Sequence, residues 1–356
     1  MEPITDFPEE IYLPEKSYVT APLFNGLRGS ATLVDVRSPA EYARGHIPGA
    51  VNIPIFNDKE REKVGTIFAK KGKQEAVYEG LDLIGGSLSE KLREALKRAE
   101  NGKLLLYCWR GGMRSSSMAW LFSLAGIKTV LLEGGYKAYR NHILKELSAF
   151  QRVIILGGYT GSGKTEILKE IAKEYPVVDL EGIAHHRGSA FGKMSEPQPS
   201  TEHFANLLYD KVAGISPETP LFVEDESRSI GSVFIPDEFH KVMQLSSVIA
   251  INIPAEQRVN YLAGLYGESG KDYLTASVHK IEKRLGGDRA KKAIGFIETG
   301  DLRNAAAILL DYYDSSYRYN LTRKPVGKLS EIESPVVDAS KNASLVIAEA
   351  KRRSLL

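Results

Sequence analysis

The run VIILGGYTGSGKTEILKE, residues 153–170, constrains this chain more than any other stretch. Val153 to Leu156 is a short β-branched apolar run of the kind that fills a strand buried on both faces. It is followed at once by Gly158-x4-Gly163-Lys164-Thr165 and then by a helical pattern, Glu166 to Tyr175. A strand, a glycine-rich loop ending in Lys-Thr and a helix form the signature of a phosphate-binding loop: the glycines let backbone N–H groups close on phosphate oxygens at a helix N-terminus. Gly158, Gly161, Ser162, Gly163, Lys164 and Thr165 are therefore the candidate diphosphate-binding set. Leu221 to Glu226 reads as a second apolar strand, ending in three carboxylates. Either this is a solvated acidic strand end, or Glu224 or Asp225 reaches a Mg²⁺ ion shared with Thr165.

The second constraint is YCWRGGMRS, residues 107–115, which holds the only cysteine of 356 residues. Without a second cysteine no intramolecular disulfide can form, so Cys108 is an apolar filler or a reactive thiol. The surroundings favour reactivity. Lys103–Tyr107 is a strand, and Ser115–Ala125 a helix. Between them Trp109, Arg110, Gly111, Gly112, Met113, Arg114 and Ser115 form a loop in which paired glycines can turn N–H groups inward as an anion nest, with two guanidinium groups nearby. Ala31–Val36 and Thr129–Leu132 are further strands, which makes this half an α/β domain with its loop at a strand's C-terminal end.

The expected organisation is an α/β domain over 1–140, a connecting helix over 141–150, a doubly wound, parallel phosphate-loop α/β domain over 151–330 with a helical C-terminal part, and an extension over 331–356. Composition narrows the partners. No apolar run approaches the roughly 20 residues that span a bilayer. The acidic, proline-bearing start lacks a signal-peptide pattern, so a cytoplasmic protein away from membranes is expected. A net charge of +2 is too balanced to announce a nucleic-acid binder, so a polyanion must meet a local patch.

The stretches LVDVRSPAEYARGHIPGAVNIP, the Cys108 loop and LLEGGYKAYR together resemble the rhodanese family over about residues 12–140. The resemblance implies that Cys108 is a chalcogen carrier or nucleophile. The C-x5-R loop is longer than in sulfur-transferring members and is similar to loops that hold phosphate, so Cys108 is expected to face a phosphate-bearing donor. Asp35 and Arg37 are either an ion pair that shapes the loop or participants in the chemistry.

Adding the phosphate loop, DLEGIAHHRGSAFG, VEDESRSIG, VGTIFAKKG with Gly72, IEKRLGG and YYDSSYRYNL, nearly the whole chain resembles the tRNA 2-selenouridine synthase family. That resemblance implies replacement of the sulfur of wobble 2-thiouridine in tRNA by selenium, after geranylation by geranyl diphosphate, with selenophosphate as the selenium donor. Mg²⁺ is a possible cofactor, and ATP is not expected to be required. The selenophosphate-producing enzyme is a possible partner. No further spacing completes a zinc set around His185 and His186; with Arg187 and Ser189 they either form a polar site beside the phosphate loop, contacting phosphate or base, or the histidines are structural.

Lys280, Lys283 and Arg284, at three- and four-residue spacing, are candidate tRNA contacts, or else a solvated face. Tyr312, Tyr313, Tyr317 and Tyr319 either stack on bases or are buried at helical spacing. The tail from Ala350 is a phosphate contact or a disordered end. Two rival functions stand beside this reading: an ATP-dependent tRNA sulfurtransferase working through a persulfide, and a regulatory module joining a rhodanese-like domain to an ATP-hydrolysing switch.

Overall fold

The computed structural model describes residues 17–187, 191, 194, 196–267, 270–321 and 327–356. The chain divides into two units, Met1–Lys145 and Glu146–Leu356.

The first unit runs β1 (Ser17–Val19), α1 (Ala21–Gly26), β2 (Thr32–Asp35), α2 (Pro39–Arg44), β3 (Val51–Asn52), α3 (Asp58–Lys71), α4 (Lys73–Ile84), α5 (Leu88–Arg98), β4 (Lys103–Tyr107), α6 (Met113–Ser123), β5 (Lys128–Leu132) and α7 (Gly135–Ser148), the last of which crosses the division. Its sheet is parallel throughout, in the order β1-β5-β4-β2-β3. Leu104, Leu105, Leu106 and Tyr107 on the central strand β4 are all buried, as expected where helices cover both faces of a parallel sheet.

Two capping boxes fix helices near the cysteine loop. Ser38 and Glu41 exchange hydrogen bonds at the start of α2, and Asn57 and Glu60 do so at the start of α3. Gly72, at φ +89°, ends α3 and begins α4, and a side chain would be strained in that conformation. Its role is the turn of this helical hairpin.

The second unit runs β6 (Val153–Gly158), α8 (Lys164–Ile171), β7 (Val177–Val178), α9 (Leu180–Ala184), α10 (Thr201–Val212), β8 (Leu221–Glu224), β9 (Ser229–Ile230), β10 (Val233–Phe234), α11 (Asp237–Leu245), β11 (Ser247–Asn252), α12 (Ala255–Gly267), α13 (Lys271–Leu285), α14 (Gly287–Thr299), α15 (Leu302–Leu321), β12 (Leu329–Glu333) and α16 (Ala339–Arg352). The main sheet is again parallel, ordered β12-β11-β6-β8-β7, with β6 at its centre and every residue of β6 buried. Ile167, Leu168 and Ile171 of α8 pack on this sheet, each contributing roughly 1.5–3 kcal/mol of burial.

Helices α12–α15 form their own apolar core around Leu262, Leu274, Val278, Ile297 and Leu309, and the chain then returns to the sheet. This corrects the expected extension over 331–356. Strand β12 pairs in parallel with β11, and Val346 and Ala350 of α16 share a core with Ile154 and Leu156. The tail is likewise ordered: Leu355 and Leu356 pack against that core, because an apolar end has a core within reach.

Candidate functional site

In each unit a glycine loop leaves the C-terminal end of the central strand, the position where open parallel sheets bind ligands.

In the first unit Cys108 follows β4 directly and is 3% exposed. Its Sγ lies 3.3 Å from Ser115 Oγ, which itself donates to the Gly112 carbonyl at 3.1 Å. The loop folds back on the turn after β5: Tyr136 N–H donates to Cys108 O at 2.8 Å and Lys137 N–H to Trp109 O at 3.0 Å. This close approach explains two glycines. A Cβ on Gly111 (φ +64°) would lie 2.6 Å from Leu132 O, and one on Gly135 (φ +62°) would overlap the Cys108 carbonyl. Gly112 then caps α6, so the thiol and the helix N-terminus face the same end of the sheet. Trp109 is half-buried with its ring 5.9 Å from that of Tyr136, while Arg110 and Met113 are exposed.

The two loop arginines are not equivalent. Arg114 donates to both oxygens of Glu41, at 2.6 and 3.4 Å, so its charge is already met. Burial raises the Glu41 pKa, but Arg114 and the Ser38 N–H outweigh it and hold the carboxyl below its usual range. One carboxylate thus caps α2 and anchors the loop. Arg110 makes no such pair among the described residues, which leaves it as the loop's available guanidinium.

Asp35 and Arg37 form a fully buried pair, Arg37 Nη2 to Asp35 Oδ2 at 2.6 Å. The guanidinium also donates to Gly45 O at 2.6 Å and lies 3.9 Å from the centre of the Tyr136 ring. Burial opposes its charge, yet Asp35 raises its pKa above normal. The pair packs behind the loop, which favours the shaping role over direct chemistry.

Beside Cys108 lies a cavity of about 620 Å³ between the loop and the α3–α4 hairpin. Its wall includes Val64, Phe68, Val77, Leu81 and Ile84, and Arg61, Lys73, Arg110 and Arg114 also line it.

In the second unit Gly161 (φ +81°) and Gly163 (φ +69°) shape the loop over α8. A Cβ on Gly161 would meet Leu262 Cγ at 2.9 Å. Lys164 Nζ donates to Gly158 O at 3.0 Å, and Thr165 Oγ1 lies 3.5 Å from Glu181 Oε2. Ser162 is 1% exposed, and its Oγ has no partner among the described residues.

Two residues that sequence reasoning did not single out for this role brace the loop. Arg258, 4% exposed, donates to Thr160 O at 3.1 Å and to both oxygens of Asp314 at 2.8 Å. Tyr317 accepts from Gly158 N–H at 2.7 Å and donates to Asp225 Oδ2 at 3.4 Å. Burial, followed by the Asp225 charge, raises the Tyr317 pKa well above normal. Of the four tyrosines, Tyr313 and Tyr317 line the loop's pocket, while Tyr319 is 62% exposed.

Asp225, Glu226 and Glu181 line the same pocket, a cavity of about 240 Å³ whose far wall is Tyr261, Leu262, Leu265 and Tyr266. Glu224 sits behind, accepting from Glu181 N–H at 2.5 Å, with its Oε2 unpartnered among the described residues. Burial, then the charges of Glu181 and Asp179, pushes its pKa well up. Burial and the charge of Glu181 push Glu226 to about 8. Burial also raises Glu181, against the pull of Lys164. No signal in the sequence marked Glu181 or Arg258, because their partners are brought together only by the fold.

Arg187 lines the phosphate-loop pocket. His185 adopts φ +50° at the end of α9, with Nδ1 2.9 Å from Pro197 O, and it lines a different pocket. His186 is half-buried, and burial lowers its pKa. Ser189 lies outside the described residues. Lys280, Lys283 and Arg284 are all exposed on α13, opposite the buried Leu274, Val278 and Ile281.

Residues 151–331 match the family described as tRNA 2-selenouridine synthase AAA domain, and residues 23–142 match the rhodanese-like domain. The chain belongs to the tRNA 2-selenouridine synthase family. A tRNA 2-selenouridine synthase of Marinobacter nauticus is 35% identical, the match covering 82% of this chain and 89% of the relative. That of Shewanella denitrificans is 37% identical over 82% and 89%, and that of Bdellovibrio bacteriovorus 37% over 85% and 92%. Family membership accounts for both glycine loops on one chain. Among the described residues no helix is long and apolar enough to cross a membrane.

Proposed function

We propose that this member of the family converts wobble 2-thiouridine of tRNA to 2-selenouridine in two steps, using geranyl diphosphate and then selenophosphate. The observation that carries the reading is the pair of anion cradles, one holding a thiol and one a lysine, each beside an apolar wall. Two phosphate-bearing donors need two such sites.

In the first step the diphosphate sits in the loop Gly158–Thr165, with the prenyl chain against the Tyr261–Tyr266 wall. The C–O bond to diphosphate breaks, the thiouridine sulfur bonds to the allylic carbon, and the base loses its N3 proton. Lys164 meets the charge growing on the departing diphosphate, the main catalytic need in ionising an allylic diphosphate. Thr165 Oγ1 and Asp225 are hard oxygen donors suited to Mg²⁺, although no cluster of three acidic, histidine or cysteine ligands exists among the described residues. A Mg²⁺ ion held largely by substrate oxygens fits that sparse set, and when bound it would neutralise the leaving diphosphate.

Alkylation turns a poor leaving group into a thioether. In the second step selenophosphate is held over the Cys108 loop with Arg110 and loop N–H groups on its oxygens; the Cys108 sulfur attacks phosphorus and takes the phosphoryl group, the P–Se bond breaks, and the freed selenide bonds to C2. The C2–S bond breaks, sulfur keeps the electron pair and leaves protonated as geranylthiol, and water removes the phosphoryl group as phosphate. The exposed cations Lys280, Lys283 and Arg284 supply a tRNA contact, and the selenophosphate-producing enzyme is the natural partner.

The test is incubation of the protein with 2-thiouridine tRNA, geranyl diphosphate and Mg²⁺, without ATP, followed by nucleoside mass spectrometry. A geranyl mass shift that converts to 2-selenouridine on adding selenophosphate is expected. A strict ATP requirement, with no geranylated nucleoside, would overturn the reading.

A further inference from the structure

We infer that the cavity beside Cys108 is a binding site for the prenyl chain of the thioether intermediate, so that the second step selects tRNA carrying a long prenyl thioether over a short one; this rests on the proposed two-step function. The first observation is the α3 helix. It carries Val64, Ile67 and Phe68, yet none of its residues is fully buried. Protein packing leaves its apolar side unfinished.

The second observation is the rim. Phe68, Leu81 and Met113 are 58%, 57% and 48% exposed, and all three line one concavity. Large apolar side chains gathered round a cleft mark a ligand site, whereas scattered ones mean little. At about 620 Å³ the cavity lies within the usual 300–1,000 Å³ range of small-molecule sites.

The third observation is what else the cavity touches. Cys108 and Trp109 line it, and so do Arg110 and Lys73. A ligand that fits must carry a branched apolar part, a reacting centre near the thiol and an anionic part near the cations. A prenyl thioether on a tRNA base has all three in that order. The phosphate-loop pocket also has an apolar wall, but Lys164, Arg187 and the carboxylates Glu181, Asp225 and Glu226 line it where the other cavity has a thiol, which suits a departing diphosphate rather than a departing thiol. Each apolar CH₂ buried strengthens binding about fourfold, so chain length itself becomes the selector.

The experiment compares anticodon stem-loop RNAs carrying S-geranyl- or S-methyl-2-thiouridine, by equilibrium binding and by single-turnover selenation with selenophosphate. The wild type is expected to prefer the geranyl RNA by about tenfold or more. Phe68→Asp and Leu81→Asp should erase the preference, lowering geranyl RNA binding by about tenfold more than S-methyl RNA binding. Leu124→Asp, at an equally exposed leucine absent from the cavity lining, should keep it. Both cavity positions are more than half exposed, and thermal melts establish that the variants fold. A preference that survives both substitutions, or none in the wild type, would overturn the inference even if selenation proceeds. If the wild type produces no 2-selenouridine from either RNA, the proposed function fails, and the binding arm still decides the cavity.

Discussion

The two glycine loops solve one problem in different surroundings. Both leave the central strand of a parallel sheet and both lead into a helix N-terminus. The Cys108 loop is held by backbone bonds to Tyr136 and Lys137 and, from 73 residues earlier, by Glu41 on Arg114. The phosphate loop is held from later in the chain, by Arg258 and Tyr317, and its cavity sets three carboxylates beside an apolar wall. A glycine loop therefore sets where an anion goes, while the surrounding side chains set which bond breaks there.

The largest expected effect breaks the comparison at the thiol. Cys108→Ser should reduce 2-selenouridine formation to background while S-geranyl-2-thiouridine accumulates, as read by nucleoside mass spectrometry. Selenation at the wild-type rate would remove Cys108 from the chemistry.

The reciprocal test is Lys164→Ala. Geranylation should slow by about 10²–10³, the usual cost of one charge-stabilising donor, while selenation of tRNA supplied already geranylated continues. Geranylation intact with selenation lost would exchange the assigned roles of the two loops.

A smaller effect tests the surface. Replacing Lys280, Lys283 and Arg284 by alanine should weaken tRNA binding and flatten its salt dependence, by about 0.7–0.9 in log–log slope for each phosphate that is no longer neutralised. An unchanged slope in a binding titration would make α13 ordinary solvated surface.

The smallest effect concerns the acids that distinguish the second loop. Glu226 is raised from 4.5 to about 8, so the folded state favours its protonated form, and charging it costs stability that sets in above 4.5 and is complete above about 8. Glu226→Gln should therefore stabilise the protein at pH 9 by about 1–3 kcal/mol and much less at pH 5, read from melting temperatures. Equal effects at both pH values would show that Glu226 is not held in this environment.

Much of this was legible in the sequence because the signals are local. Strand β4 spans the expected Lys103–Tyr107, and the phosphate loop stands between the expected strand and helix. One boundary shifted: α6 starts at Met113 rather than Ser115, since Gly112 caps it. The 331–356 segment departs from expectation because an edge strand with a half-exposed pattern carries little hydrophobic signal, and its partner β11 lies some 80 residues earlier.

By itself the sequence determined both loops, the lone thiol, the parallel α/β class and the family, since each depends on residues close together in the chain. Tertiary structure alone decided that Arg114 is engaged by Glu41, that Asp35 and Arg37 are sealed behind the loop, that Arg258 and Tyr317 brace the phosphate loop, and that α3 and α4 form an apolar wall beside Cys108. The reason is physical: burial, charge pairing and cavity shape depend on which side chains meet in space, and spacing along the chain carries no record of those meetings.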